Sequence, residues 1–157
     1  MTAGISPMSD GRKSPSPQAA APMYVTSVSV RWRDLDAFNH VNNASYLTYL
    51  EEARLQWLRQ KIPAALPTEQ AAPVLVASQL NYRSPINWPA QLEVQLFCTR
   101  LGNSSITLSH RIVDADAPDR LYCDGSVTMV WINPASGKPV TLPEALRAAA
   151  GQSKQTP

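Results

Sequence analysis

Between Val28 and Leu58 the hydrophobic period of the chain changes, and it changes across a polar loop. In VTSVSVRWR, Val28, Val30 and Trp32 alternate with Ser27, Ser29, Arg31 and Arg33, the period of two that marks a half-buried strand. Beyond the loop, Leu47, Leu50, Ala53, Arg54, Trp57 and Leu58 fall at three- and four-residue steps, which place them on one face of a helix. Asn42 or Asn43 suits the N-cap, and Pro63 and Pro67 stop the helix soon after Ile62. The intervening RDLDAFNHVNN holds two Asp, one His and three Asn. Such a loop delivers carboxylates to a helix N-terminus, where unpaired backbone N–H groups favour negative charge.

Four more strand-like runs follow: Pro73–Tyr82, Gln91–Thr99, Ser105–Val113 and Leu121–Ile132. The connections LGNSS, DADAPD and NPASGKP are rich in turn residues and predict antiparallel hairpins between neighbouring strands. Pro143 can open a short helix in LPEALRAAA. The order β, long α, then four β predicts an α+β protein: a five-stranded antiparallel sheet wrapped on one long central helix. Trp32 and the apolar strand positions are expected to pack on that helix, leaving the other face of the sheet to water or a partner.

The chain has 157 residues, 44% of them hydrophobic, enough for one domain with a core. Residues 1–22 carry Pro7, Pro15, Pro17 and Pro22 and read as a disordered tail. Residues 23–147 read as the domain and 148–157 as a flexible C-terminus. No apolar run reaches the roughly 18 residues of a membrane span, and no apolar signal segment opens the chain. The net charge of +2 is too mild to imply nucleic acid. Cys98 and Cys123 sit in strand-like runs and read as reduced, packed thiols in a cytoplasmic protein. Neither CxxC nor HExxH occurs, so no metal site is expected.

Asp34, Asp36, His40, Val41, Asn42, Asn43 and Tyr46 together resemble the D-x-D-x-x-G-H-V-N-N-x-x-Y pattern of hotdog-fold thioesterases of the 4-hydroxybenzoyl-CoA thioesterase type. Leu50, Glu51, Ala53, Arg54, Trp57 and Leu58 continue it. The similarity is greatest to the acyl-CoA hydrolase branch and extends from about Tyr24 to about Leu146. One departure is Asn39, where the family has Gly; Asn tolerates the left-handed conformation better than most residues. Another branch uses a His seven residues after the second Asp. Here that position is Asn43, so mechanisms drawn on that His do not carry over.

The resemblance implies a homodimer, or a tetramer built from it, with sites at the protomer interface. It places the catalytic carboxylate at Asp36, as a general base or as a nucleophile; taken alone, Asp36 reads equally as a turn-capping Asp. Asp34 reads as structural. His40 either orients the thioester and its water or holds the loop. The backbone around Val41–Asn43 is the candidate oxyanion site, while Asn42 and Asn43 either bind the carbonyl or cap the helix. Tyr46 and Glu51 are candidate pocket residues, Glu51 being otherwise a solvated helix charge. Arg83, Arg100, Arg111, Lys138, Ser104 and Ser105 are candidates to bind the phosphates of coenzyme A. His110, in a strand, reads as a packed or interface residue.

The expectation is an acyl-CoA thioesterase that needs no cofactor and no metal, coenzyme A entering as part of the substrate. One rival is hydrolysis of acyl carrier protein thioesters, for which a basic rim would dock an acidic carrier. Another is a non-catalytic acyl-CoA binding or sensing module, which has no need of a base. A hotdog dehydratase or hydratase is the weakest alternative, because no second catalytic His in a D-x-N-x-x-H arrangement is present.

Overall fold

The computed structural model describes residues 21–152. Almost all of the tail expected over 1–22 lies outside them, as does the end of the chain. Five strands form one antiparallel sheet: β1 (Tyr24–Ser29), β2 (Ala72–Tyr82), β3 (Gln91–Leu101), β4 (Ser105–Asp114) and β5 (Leu121–Ile132). Helix α1 (Asn43–Lys61) runs for 19 residues between β1 and β2, and α2 (Glu144–Gln152) closes the described region. The order across the sheet is β1-β3-β4-β5-β2. LGNSS and DADAPD make the β3–β4 and β4–β5 hairpins as expected. NPASGKP instead turns the chain back to an isolated bridge between Ile132 and Pro139. The outer strands arrive by long connections, β1 beside β3 and β2 beside β5.

Helix α1 lies on one face of this sheet. The Tyr24 hydroxyl donates to Gln60 Oε1 at 3.1 Å and the Thr26 hydroxyl to Gln56 Oε1 at 2.6 Å, which fixes the face of β1 that the helix covers. The buried stripe of α1 is Tyr46, Tyr49, Leu50, Ala53, Trp57 and Leu58, a helical i, i+3, i+4 set. It meets Leu92, Val94 and Leu96 of β3, Ile106, Leu108 and Ile112 of β4, and Cys123 and Trp131 of β5 in one core. Two members of the expected stripe stand aside: Leu47 is exposed and Arg54 half-buried. Tyr46 and Tyr49 take the inward positions, rotating the buried face toward the loop before the helix.

Trp32 does not pack on the helix. Strand β1 ends at Ser29, and Trp32–Asp34 form a 3₁₀ turn that leaves Trp32 71% exposed. The cause is Asp34, whose carboxylate accepts from the Arg31 backbone N–H at 3.0 Å and from Arg31 Nε at 3.2 Å, drawing the chain into a turn before period two can continue. The ordered region also runs past 147. Helix α2 extends to Gln152, with Leu146 and Ala150 buried.

Candidate active site

The turn between β1 and α1 is closed by its own backbone. Leu35 and Val41 form an isolated antiparallel bridge, the Asp36 N–H donates to the His40 carbonyl at 2.9 Å, and the Asn39 N–H donates to the Asp36 carbonyl at 3.0 Å. Asn39 occupies the left-handed region at φ 62°, as its substitution for Gly requires. The Asp36 carboxylate caps this turn, Oδ1 accepting from the Phe38 N–H at 2.8 Å. Its other oxygen has no partner among the described residues.

Asp34 holds the loop against the helix. Besides its bonds to Arg31, Oδ2 accepts the Tyr49 hydroxyl at 2.6 Å. Asp34 is 6% exposed. Burial alone would raise its pKa, but the Tyr49 hydroxyl and the Arg31 N–H and guanidinium outweigh it and hold the carboxyl below the ordinary carboxylate value. Burial, then the neighbouring Asp34, push the Tyr49 phenol upward.

The N-terminus of α1 divides its donors among separate tasks. Asn42 is the N-cap, its side chain accepting from the Ala44 N–H at 2.8 Å. The Val41 N–H donates to the Ile86 carbonyl at 2.9 Å and the Asn42 N–H to the Asp34 carbonyl at 2.8 Å. Of the three N–H groups expected to form an oxyanion site, only that of Asn43 is unengaged among the described residues. Val41 instead fixes the loop to the segment after β2, and Asn42 ties the helix start back to the loop at Asp34.

These pieces border a cleft of about 430 Å³ lined by Asp36, Phe38, His40, Val41, Asn43, Tyr46, Tyr82, Arg83, Ser84 and Pro85. Phe38 is 82% exposed at its rim. Tyr46 and Tyr82 meet edge to face with ring centroids 5.0 Å apart, and the Tyr82 hydroxyl donates to the Asn43 carbonyl at 3.3 Å. Burial pushes the Tyr46 phenol up to about 12, so it stays protonated. Arg83 grips Asp124 with Nε on Oδ2 and Nη2 on Oδ1, both at 3.0 Å, leaving the guanidinium about half exposed.

The structure thus brings Asp36, His40, Val41, Asn43, Tyr46 and Arg83 together. Glu51 does not line the cleft; it is solvent-exposed on α1 and faces Arg54 electrostatically. Arg100, Ser104 and Ser105 lie at the other end of the sheet. Ser29 pairs with Gln91 and Tyr82 with Cys123 at the cleft end, whereas Leu101 pairs with Ile106 at the far end. Phe38, Tyr82, Ser84 and Pro85 are lining residues beyond the sequence expectation. Tyr82 and Ser84 had one signal in the sequence, their position with Arg83 directly after a strand. Only the pairing of β2 with β5 brings that strand end to the loop.

The family described as the thioesterase-like superfamily matches residues 30–150. Acyl-CoA thioester hydrolase YbgC of Escherichia coli is 32% identical over 123 residues, covering 77% of this chain and 90% of that protein. Long-chain acyl-CoA thioesterase FadM of Escherichia coli is 32% identical over 123 residues, covering 78% and 92%. Among solved structures, the PA2801 protein of Pseudomonas aeruginosa superposes with a TM-score of 0.77 at 35% identity, covering 82% of this chain and 98% of that one.

Proposed function

The chain belongs to the thioesterase-like superfamily, and on that premise we propose that it hydrolyses acyl-CoA thioesters to a carboxylic acid and free coenzyme A. The observation that carries this reading is the meeting of Asp36, His40 and Asn43 in one cleft at the N-terminus of α1. Asp36 is held by the Phe38 N–H through one oxygen, so the other is presented for chemistry. That oxygen either takes a proton from water or attacks the thioester carbon itself. As the carbonyl carbon becomes tetrahedral, negative charge grows on its oxygen. The Asn43 N–H, in the first turn of α1 and backed by the helix dipole, is the donor placed for it. His40 positions the thioester or the water. The sulfur departs with coenzyme A and takes up the proton released from water; on the nucleophilic route water then cleaves the acyl anhydride formed on Asp36 to release the acid, and the enzyme needs no bound cofactor.

The reading includes a hotdog arrangement, in which the sheet wraps on α1, and a homodimer. Strand β2 supports the dimer: it is an edge strand with Leu75 and Val76 exposed, and an unpaired edge of this kind accepts a second strand. Arg83 is the cation placed to meet a coenzyme A phosphate at the cleft, exchanging Asp124 for the ligand. Arg100, Ser104 and Ser105, remote from the cleft of their own protomer, would reach one from another subunit.

The test is thiol release from a panel of acyl-CoAs and acyl carrier protein thioesters by the wild type and by Asp36→Asn. The substituted amide keeps an oxygen for the Phe38 N–H but removes the base or nucleophile. Loss of about 10²-fold or more in kcat with an unchanged fold supports the reading. Unchanged hydrolysis overturns the role of Asp36, and tight acyl-CoA binding without thiol release turns the protein into a binding module.

A further inference from the structure

The first turn of α1 offers the thioester oxygen a single main-chain donor. The Val41 N–H is spent on the Ile86 carbonyl and the Asn42 N–H on the Asp34 carbonyl, which leaves Asn43. Oxyanion sites draw fixed donors from side chains as well as from the main chain, tyrosine among them. Helical geometry puts one beside Asn43. A long side chain on a helix leans toward the N-terminus and covers the turn before its own Cα. Tyr46 therefore lies over the turn that begins at Asn42 and Asn43. Its ring is fixed there: it meets Tyr82 edge to face, and Tyr82 in turn donates to the Asn43 carbonyl. Tyr46 is 2% exposed, yet it lines the cleft with Asp36, His40 and Asn43.

The phenol keeps its proton, because burial outweighs the Ile86 backbone N–H that donates toward its oxygen. Residue 86 thus serves both groups, the loop through its carbonyl and the phenol through its N–H. The phenol still has its own O–H to give, and no acceptor for it occurs among the described residues. Nor is the hydroxyl sealed in the core. Among the described residues, the fully buried side-chain polar atoms without a partner are ring nitrogens of His110 and Trp131. The unspent O–H of Tyr46 opens on the cleft.

We propose that Tyr46 is a catalytic residue of the hydrolysis, its phenol O–H donating together with the Asn43 N–H to the oxygen of the tetrahedral intermediate. The inference rests on the thioesterase reading. The phenol shares its proton and does not transfer it, so Asp36 remains the group that reacts. A neutral thioester carbonyl is a weaker acceptor than the oxyanion it becomes. The bond therefore strengthens on the way to the transition state and acts on kcat more than on binding. A donor that also receives the Ile86 N–H is polarised by it, which strengthens the bond it gives.

The experiment measures thiol release from the acyl-CoA that the wild type hydrolyses fastest in a panel of chain lengths. Calorimetry measures the affinity for the matching S-alkyl-CoA thioether, which has no carbonyl. Tyr46→Phe keeps the ring and its contact with Tyr82 and removes only the O–H. The expected result is a fall of about 10²-fold in kcat, with KM and thioether affinity within about threefold of wild type. A second protein carries a fluorinated tyrosine in place of Tyr46, whose phenol loses its proton at lower pH. Its kcat should decline at an alkaline pH where the wild type still works, because a phenolate cannot donate. An unchanged kcat in Tyr46→Phe, or a loss confined to KM, overturns the proposal and leaves the hydrolase reading standing. Should Tyr46→Phe fail to fold, the fluorinated protein decides, and a pH profile identical to wild type overturns the proposal. No thiol release by the wild type from any acyl-CoA overturns the hydrolase reading itself, and the role of Tyr46 with it.

Discussion

The Tyr49 hydroxyl donates to Asp34 Oδ2 at 2.6 Å across fifteen residues of chain, and through that bond the first turns of α1 hold the loop that carries Asp36. Tyr49→Phe removes a hydrogen bond to a buried carboxylate and leaves the ring in place. The expected cost is about 1.5–3 kcal/mol in urea unfolding, with the m-value unchanged. Thiol release should fall less than for Asp36→Asn, because Tyr49 touches the loop and does not line the cleft.

Acid should expose two of these groups in sequence. The His110 pKa is lowered from 6.5 to about 4, so the unfolded chain takes up a proton that the folded chain refuses. Its contribution to stability is complete above about pH 6.5 and is lost as pH falls toward 4. The Asp34 carboxyl is also lowered, from 3.8, and its contribution is present above that value and lost at lower pH. Denaturation midpoints between pH 7 and 4 should fall for the wild type and fall less for His110→Gln; parallel curves would assign the slope to other groups.

Asn39→Gly is expected to leave stability within about 0.5 kcal/mol, because φ of 62° suits Gly. Asn39→Ala should cost about 1 kcal/mol and Asn39→Val more, since left-handed backbone excludes branched side chains. Thermal melts of the three variants check the order.

Asn42→Ala removes the cap that accepts the Ala44 N–H. It should lower stability by about 1 kcal/mol and leave kcat close to the wild-type value, since Asn42 is outside the cleft lining. A large loss of kcat at unchanged stability would return Asn42 to the substrate.

Val76→Lys puts a charge on the exposed edge strand β2. On the proposed dimer, sedimentation is expected to move from dimer to a 17.2 kDa monomer, because edge lysines oppose strand addition. Hydrolysis should fall with the dimer if the partner completes the site.

Much of this arrangement is legible along the chain, because it is local. The periods of β1 and α1, the capping Asn42 and the left-handed Asn39 each follow from a few adjacent residues. Trp32 misleads because period two carries no trace of the Arg31–Asp34 bonds that break it. The donors of Val41 and Asn42 look available in sequence, since their acceptors include Ile86, more than forty residues on. Tyr82 and Arg83 enter the cleft through the pairing of β2 with β5, which no local pattern announces. Gly125 and His110 become neighbours in the same way, through register alone.

The turn from Asp36 to His40 closes on itself through main-chain bonds and is stitched at Leu35 and Val41 to its surroundings. Apart from Asp36 and Asn39, its side chains are spared from holding it. The loop therefore behaves as an exchangeable cassette: Ala37 and Phe38 can vary and alter the rim of the cleft while the main-chain scaffold that carries Asp36 and His40 stays unchanged.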